Sequence, residues 1–361
     1  MIELKMKEKG LIKRLTNKTF KFDKKYLKGY YAANYFLKTK KIVEQELNQN
    51  IVEEQFFQRK DNVVLCGIDE VIALISTFTC HKEGLKVYAL NDGDIINKNE
   101  PVLKIIGPYA DFGFLEGSID GILTRRSAVA TNSRRVVEAV NGKKILNMAD
   151  RQDDPINQPG DGYASYIGGI KAFSTDANGK WIGLKGKGTM PHALIEMCKG
   201  DIYQACLAYL KVFPKEKVTA LIDYHNNVVY DSVELAKKLN GKLGAVRVDT
   251  SISLIDHYFD GKDTSSFDPH GVCKELICAL RENLDKAGFK DVKIIVSSGF
   301  DEEKIKDFEK NNVPVDIYGV GTSLLRINVG YTGDLVKLNG MDEAKEGRKD
   351  IPSVRLEEVK L

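Results

Sequence analysis

The sequence predicts an α/β protein built on a parallel sheet, and three features of its later two-thirds predict it. Five apolar runs, Lys144–Met148, Val218–Ile222, Leu243–Val248, Val292–Val296 and Val315–Tyr318, are continuous rather than alternating, as strands buried on both faces are. Helix-like segments near Ala193–Val212, Val233–Leu239, Val272–Leu284 and Glu302–Glu309 fall between them, which implies right-handed crossovers. Polar groups sit at the ends of the runs: Asp150-Arg151, Asp223, Arg247 with Asp249, Ser297-Ser298-Gly299 and Gly319-Val-Gly321-Thr322-Ser323. An open sheet and a closed or partly closed barrel both fit this order. In either one, ligands bind at the carboxyl ends of the strands.

The earlier part of the chain is mixed. Leu27–Leu47 has helical spacing, Val63–Phe78 reads as a buried helix, and Val87–Leu90 and Val102–Gly107 read as short strands separated by turn-rich Asn91–Asp94 and Asn97–Pro101. The lysine-rich stretch Lys5–Lys28, with Leu11, Leu15 and Phe20 between its charges, reads as a solvated, partly strand-like face. A long helix is expected from about Phe114 to Val140, because Leu115, Ile119, Ile122, Leu123, Val129 and Val136 return to one face. Asn141-Gly142 is its stop.

Composition narrows the function classes. A chain of 361 residues with 43% hydrophobic content suits two domains. Its 54 Lys and Arg nearly balance 51 Asp and Glu, for a formal charge of +3, which gives no case for nucleic acid as a partner. No apolar run reaches the roughly 18 residues of a membrane span, and the start lacks the core of a signal peptide. The six cysteines (Cys66, Cys80, Cys198, Cys206, Cys273 and Cys278) form no Cys-x-x-Cys pair. Buried thiols in a reducing cytoplasm are the expectation.

The polar strand ends suit a phosphorylated sugar. Ser298-Gly299 and Gly319-Val-Gly321-Thr322 end two successive strands, where small residues let backbone N–H groups approach a phosphate and hydroxyls add donors. Neither is a nucleotide fingerprint: the last glycine of Gly-x-Gly-x-x-Gly is missing after Gly321, and Gly183–Thr189 lacks the Walker spacing. Arg125, Arg151 and Arg247 are candidate forks for phosphate or carboxylate. Asp223 and Asp249 are candidate partners of ribose hydroxyls or Mg2+. His192 follows Pro191 at the expected start of a helix, where phosphate on or beside the imidazole is favoured.

Over most of its length, and in order, the chain resembles the nicotinate phosphoribosyltransferase family, to which the quinolinate enzymes are related. The matching stretches are Tyr35-Phe-Leu-Lys-Thr39, Leu65-Cys-Gly-Ile-Asp69-Glu70, Leu115-Glu116-Gly117, Ser127-Ala-Val-Ala-Thr131, Gly168-Gly169, Gly188-Thr-Met-Pro-His192, Ala220-Leu-Ile-Asp223, Val246-Arg247-Val-Asp249-Thr250 and Gly319-Val-Gly-Thr-Ser323. The resemblance implies an irregular, partly open α/β barrel over residues 116–329 and an N-terminal α/β sandwich domain over residues 1–115, to which the tail 330–361 returns. It implies transfer of phosphoribose from phosphoribosyl pyrophosphate (PRPP) to nicotinate in NAD synthesis, with Mg2+ and with ATP as a co-substrate. Tyr35 would stack on the pyridine, Arg151 and Arg247 would hold carboxylate or phosphate, and Asp223 and Asp249 would face the ribose, Asp249 through Mg2+. Ser298, Gly299, Gly319, Gly321 and Thr322 would surround the 5′-phosphate, and His192 is the residue that ATP would phosphorylate. A homodimer or larger assembly is implied, its sites lying where one subunit's N-terminal domain meets another's barrel.

The pattern also departs from the family. The common Arg-Leu-Asp-Ser-Gly-Asp appears as Arg247-Val-Asp-Thr-Ser-Ile, without the second acid, and Thr175 stands where many members have Asn. Gly117 replaces the Arg of the quinolinate enzymes. A quinolinate or nicotinamide enzyme, and a non-catalytic regulator that binds a sugar phosphate or nucleotide, are the alternatives. A barrel aldolase or isomerase fits less well, because the apolar runs hold no internal lysine beyond Lys144 and Lys293 near their starts.

Overall fold

The structure, a computed structural model, describes residues 2–79, 81–188 and 190–361. Cys80 and Thr189 of the motifs above lie outside the described residues. The first half runs α1 (Glu3–Glu8), α2 (Asn34–Glu46), β1 (Ile51–Gln58), β2 (Val63–Val64), α3 (Ile68–Phe78), β3 (Lys86–Ala89), β4 (Ile95–Ile96), β5 (Leu103–Pro108), α4 (Tyr109–Phe112) and α5 (Glu116–Ala139). The second runs β6 (Lys144–Asn147), α6 (Gln158–Ile167), β7 (Ala172–Phe173), α7 (His192–Met197), α8 (Ile202–Val212), β8 (Val218–Leu221), α9 (Val228–Leu239), β9 (Leu243–Val248), α10 (Lys274–Lys286), β10 (Lys293–Val296), α11 (Glu302–Lys310), β11 (Ile317–Val320), β12 (Tyr331–Leu338), β13 (Met341–Asp342) and β14 (Glu357–Val359).

Two six-stranded sheets result. One has the order β13-β12-β1-β5-β3-β14 and is antiparallel at every pairing. The late strands β12 and β14 therefore lie in the same sheet as β1, β3 and β5. The other has the order β7-β6-β11-β10-β9-β8 and is parallel throughout. Its outer strands β7 and β8 do not pair with each other, so the α/β barrel is open, as expected.

Each sheet has its own apolar core. Val52, Phe56, Val87 and Leu103 pack with Ile68, Leu74 and Ile75 of α3 and with Ile119 and Leu123 of α5. Val218, Val246, Ile294 and Val320 pack with Leu235, Leu276 and Ile305 of the flanking helices. Burying side chains of this size contributes about 1.5–3 kcal/mol each. The α5 helix spans both cores, giving Val129 and Val136 to the second.

Several local expectations need correction. Val63–Phe78 is not one helix: Val63-Val64 pairs with Ile95-Ile96, and Gly67, at φ +103°, turns the chain into α3. A short apolar run has no period of its own to separate strand from helix. The segment before α2 is a 3-10 turn over Lys24–Lys28 ending at left-handed Gly29. Lys5–Lys28 forms no strand, and its Leu15 and Phe20 are buried in the barrel core while Leu11 is exposed. The helix expected over Ala193–Val212 breaks at Lys199 and Gly200, both at positive φ. It restarts at Asp201, whose carboxylate accepts from Gln204 N as an N-cap does.

Candidate active site

The sheet order sets the order of the polar strand ends. From β7 to β8 the connections carry Ser174, then Asp150-Arg151, then Gly321-Thr322, then Ser298-Gly299, then Asp249, then Asp223. The two small-residue turns lie side by side at the centre because β10 and β11 are neighbours. A cleft of about 710 Å³ opens there, lined by Arg151, Arg247, Asp249, Ser298, Gly299, Gly319, Gly321 and Thr322 among others.

The backbone of these turns is unusual. Ser298 and Gly299 are both left-handed, at φ +73° and +74°, a tight turn that small residues permit. A side chain at Gly319 would bring its Cβ within 2.7 Å of Met148 Sδ. A 3-10 turn starts at Thr322, and Ser323 Oγ donates to Phe300 O at 3.1 Å, tying the two turns together.

Charged groups flank the turns. Ser297 Oγ donates to Asp249 Oδ1 at 2.7 Å, and Arg247 Nη2 lies 3.8 Å from Asp249 Oδ2. His192 Nε2 stands 3.3 Å from each oxygen of Asp223. Burial pushes the Asp223 carboxyl above its ordinary range; the facing His192 opposes this and the charge of Asp249 adds to it. Pro191, next to His192, lines the cleft.

Four expected site residues are not in the cleft lining: His192 and Asp223, which pair beside it, and Arg125 and Tyr35. Arg125 does not line the cleft; both its Nε and Nη2 donate to Asp161 at 2.8 Å, so that fork is engaged by a carboxylate. Tyr35 is also outside the lining and is 64% exposed on α2. Conversely, Asp150, Ser174, Lys187 and Arg326 line the cleft without having been singled out individually as site residues. Ser174 Oγ donates to Asp150 Oδ1 at 2.6 Å. Ser174 follows a strand of two residues and the two cations sit in irregular segments, so no period marks them; only the short apolar pair Ala172-Phe173 is a signal.

Comparison with known proteins bears on this arrangement. A family model for the quinolinate phosphoribosyl transferase N-terminal domain matches residues 35–127. The crystal structure of a nicotinate-nucleotide pyrophosphorylase from Pyrococcus furiosus is 31% identical in sequence, with a TM-score of 0.77, over 91% of this chain and 81% of that one. The chain belongs, with this pyrophosphorylase, to the type II phosphoribosyltransferase family. Nicotinate phosphoribosyltransferases of Mycobacterium tuberculosis and Bacillus subtilis are 27% and 26% identical over 244 residues. Each alignment covers 66% of this chain and, respectively, 48% and 45% of the relative. The chain thus spans about half the length of these curated relatives. The human nicotinic acid phosphoribosyltransferase structure shares the fold, with a TM-score of 0.66 at 17% identity, over 86% of this chain and 75% of that one.

Within this family member the described residues contain no group of three or more His, Cys, Asp or Glu placed to hold a metal ion. Asp249 is the carboxylate beside the two turns, with one oxygen on Ser297 and the other facing Arg247. Among the described residues no helix is long and apolar enough to cross a membrane. Cys66, Cys206 and Cys273 are buried free thiols, whereas Cys198 is half-buried and Cys278 exposed, which corrects the expectation that all are buried.

Proposed function

We propose that this chain is a nicotinate phosphoribosyltransferase, joining nicotinate to PRPP to give nicotinate mononucleotide and pyrophosphate in NAD synthesis. The observation that carries this is the pair of adjacent small-residue turns, Ser298-Gly299 and Gly321-Thr322, flanked in one cleft by Arg151 and Arg247. The turns suit the 5′-phosphate, and the arginines suit the pyrophosphate or the nicotinate carboxylate.

In the reaction the pyridine nitrogen gives its lone pair to the anomeric carbon. The bond from that carbon to pyrophosphate breaks, and pyrophosphate leaves with the electron pair. Positive charge gathers on the sugar, where the carboxylates of Asp223 and Asp249 stabilise it, and negative charge gathers on the leaving group, facing the arginines. No general base is needed. Asp249 is the residue we assign to hold Mg2+, which would come with PRPP and need only one or two carboxylates from the protein. When bound it neutralises pyrophosphate charge.

ATP coupling through His192 is part of the proposal. The imidazole is 41% exposed while Asp223 behind it is 8% exposed, so one nitrogen is oriented by a buried carboxylate. The site is further proposed to be completed by a second copy of the chain, which explains an exposed ring-stacking residue at Tyr35. Quinolinate is disfavoured because Gly117, at the head of α5, opens onto empty space and offers no fork for a second carboxylate.

The test is product formation from PRPP, Mg2+ and each of nicotinate, nicotinamide and quinolinate, with and without ATP. Nicotinate mononucleotide from nicotinate alone is expected. Turnover only of quinolinate or nicotinamide would replace the proposal, and no turnover with any of the three would end it.

A further inference from the structure

Arg125 does not face the cleft, yet its contacts lead back to it. Asp161, which takes both arms of its fork, lies buried in α6 and also receives Arg126 Nη1 at 3.5 Å. Arg126 in turn donates through Nε to Glu70 of α3 at 2.8 Å. Gly160 is required for this arrangement, because a Cβ there would lie 2.0 Å from Arg126 Cζ. This end of the network is anchored in the core.

The other end is not. Arg125 Nη2 also pairs with Asp153, whose side chain is 34% exposed. Asp153 lies two residues beyond Arg151, in the connection between β6 and α6. On the near side of Arg151 the same connection is held at Asp150, which accepts from Ser174 Oγ at 2.6 Å and, through its carbonyl, from Gln158 Nε2 at 3.1 Å. Arg151 itself is exposed and lines the cleft. It therefore sits between two tethers, one of which is Arg125.

We propose that Arg125 is a positioning residue: through Asp153 it fixes the loop that presents Arg151 to the cleft. This rests on the phosphoribosyl transfer reading above. A loop ordered before binding spares the ligand the cost of ordering it, and an arginine fork rewards a fixed approach to phosphate more than a lysine does.

Asp153→Asn keeps the side chain's size and lies at the surface, so the fold is retained. Two measurements on the full chain separate the latch from the function. Hydrogen exchange of the amides over 150–157, without ligand, is expected to speed up in Asp153→Asn, as local opening becomes easier, and to return toward wild type in Asp153→Glu. Calorimetry with PRPP and Mg2+ is expected to show binding weakened roughly tenfold in Asp153→Asn, with no further loss when the change is added to Arg151→Ala, since residues acting through one another are not additive. Unchanged exchange in Asp153→Asn overturns the proposal whatever the affinity, and so do losses that multiply in the double variant. Faster exchange in a protein whose wild type does not bind PRPP keeps the latch and rejects the functional reading instead.

Discussion

Both oxygens of Asp223 lie 3.3 Å from His192 Nε2, a contact that joins the second residue beyond β8 to the first residue of α7. A buried carboxylate behind an exposed imidazole fixes the ring and offsets the charge it gains on accepting a phosphoryl group. His192→Ala should therefore make the initial rate of nicotinate mononucleotide formation the same with and without ATP, while transfer without ATP remains measurable. Stimulation by ATP that survives in the variant would place the phosphorylated residue elsewhere.

Gly299 is left-handed with open space around it, so Gly299→Ala strains the backbone without a clash. A cost of about 1–2 kcal/mol in stability is expected from that conformation, together with a KM for PRPP raised several-fold more than the KM for nicotinate. Urea unfolding and steady-state kinetics measure the two effects. An unchanged KM for PRPP would remove this turn from phosphate binding.

Burial, helped by the charge of Glu116, pushes Asp120 up to about 7 from an ordinary 3.8. The folded state thus binds a proton that the unfolded chain has released, and the stability this provides is full below about pH 4 and lost as pH rises through 7. Asp120→Asn should flatten that part of the pH profile and be more stable than wild type at pH 8 by roughly 1–3 kcal/mol. Parallel urea midpoints for the two proteins from pH 4 to 8 would contradict this.

Tyr35 packs on Phe36, with ring centroids 4.3 Å apart, but is otherwise exposed. Tyr35→Ala should change Tm by no more than about 2 °C, as surface substitutions do. If a second subunit brings this ring to the pyridine, the variant should raise the KM for nicotinate while Tyr35→Phe keeps it near wild type. Equal KM values in all three proteins would remove Tyr35 from the site.

The barrel was legible because its strands are buried on both faces and their apolar runs are unbroken; of the polar groups at their ends, all but Asp223 line the one cleft. The β1 strand was not, because Ile51–Gln58 carries Glu53, Glu54 and Gln55 in its middle, and Glu53 is matched only across the sheet, by Lys104 and Lys337 on the two neighbouring strands. Asp223 and His192 were each visible at element ends, but their contact spans 31 positions and depends on where α7 folds back. Arg125 shows the converse limit: its charge was visible, whereas its partners Asp153 and Asp161 are set by how α6 packs on α5. Lys187 and Arg326 lie in irregular segments whose course toward the cleft no local pattern records.

The most direct test of phosphoribosyl transfer in this cleft compares wild type with Arg247→Ala, measuring nicotinate mononucleotide made from nicotinate, PRPP and Mg2+. The wild type should form product, and the variant should lose on the order of a hundredfold in kcat/KM, the scale of one charged transition-state contact removed. No product from the wild type, or equal rates from both proteins, would contradict the account.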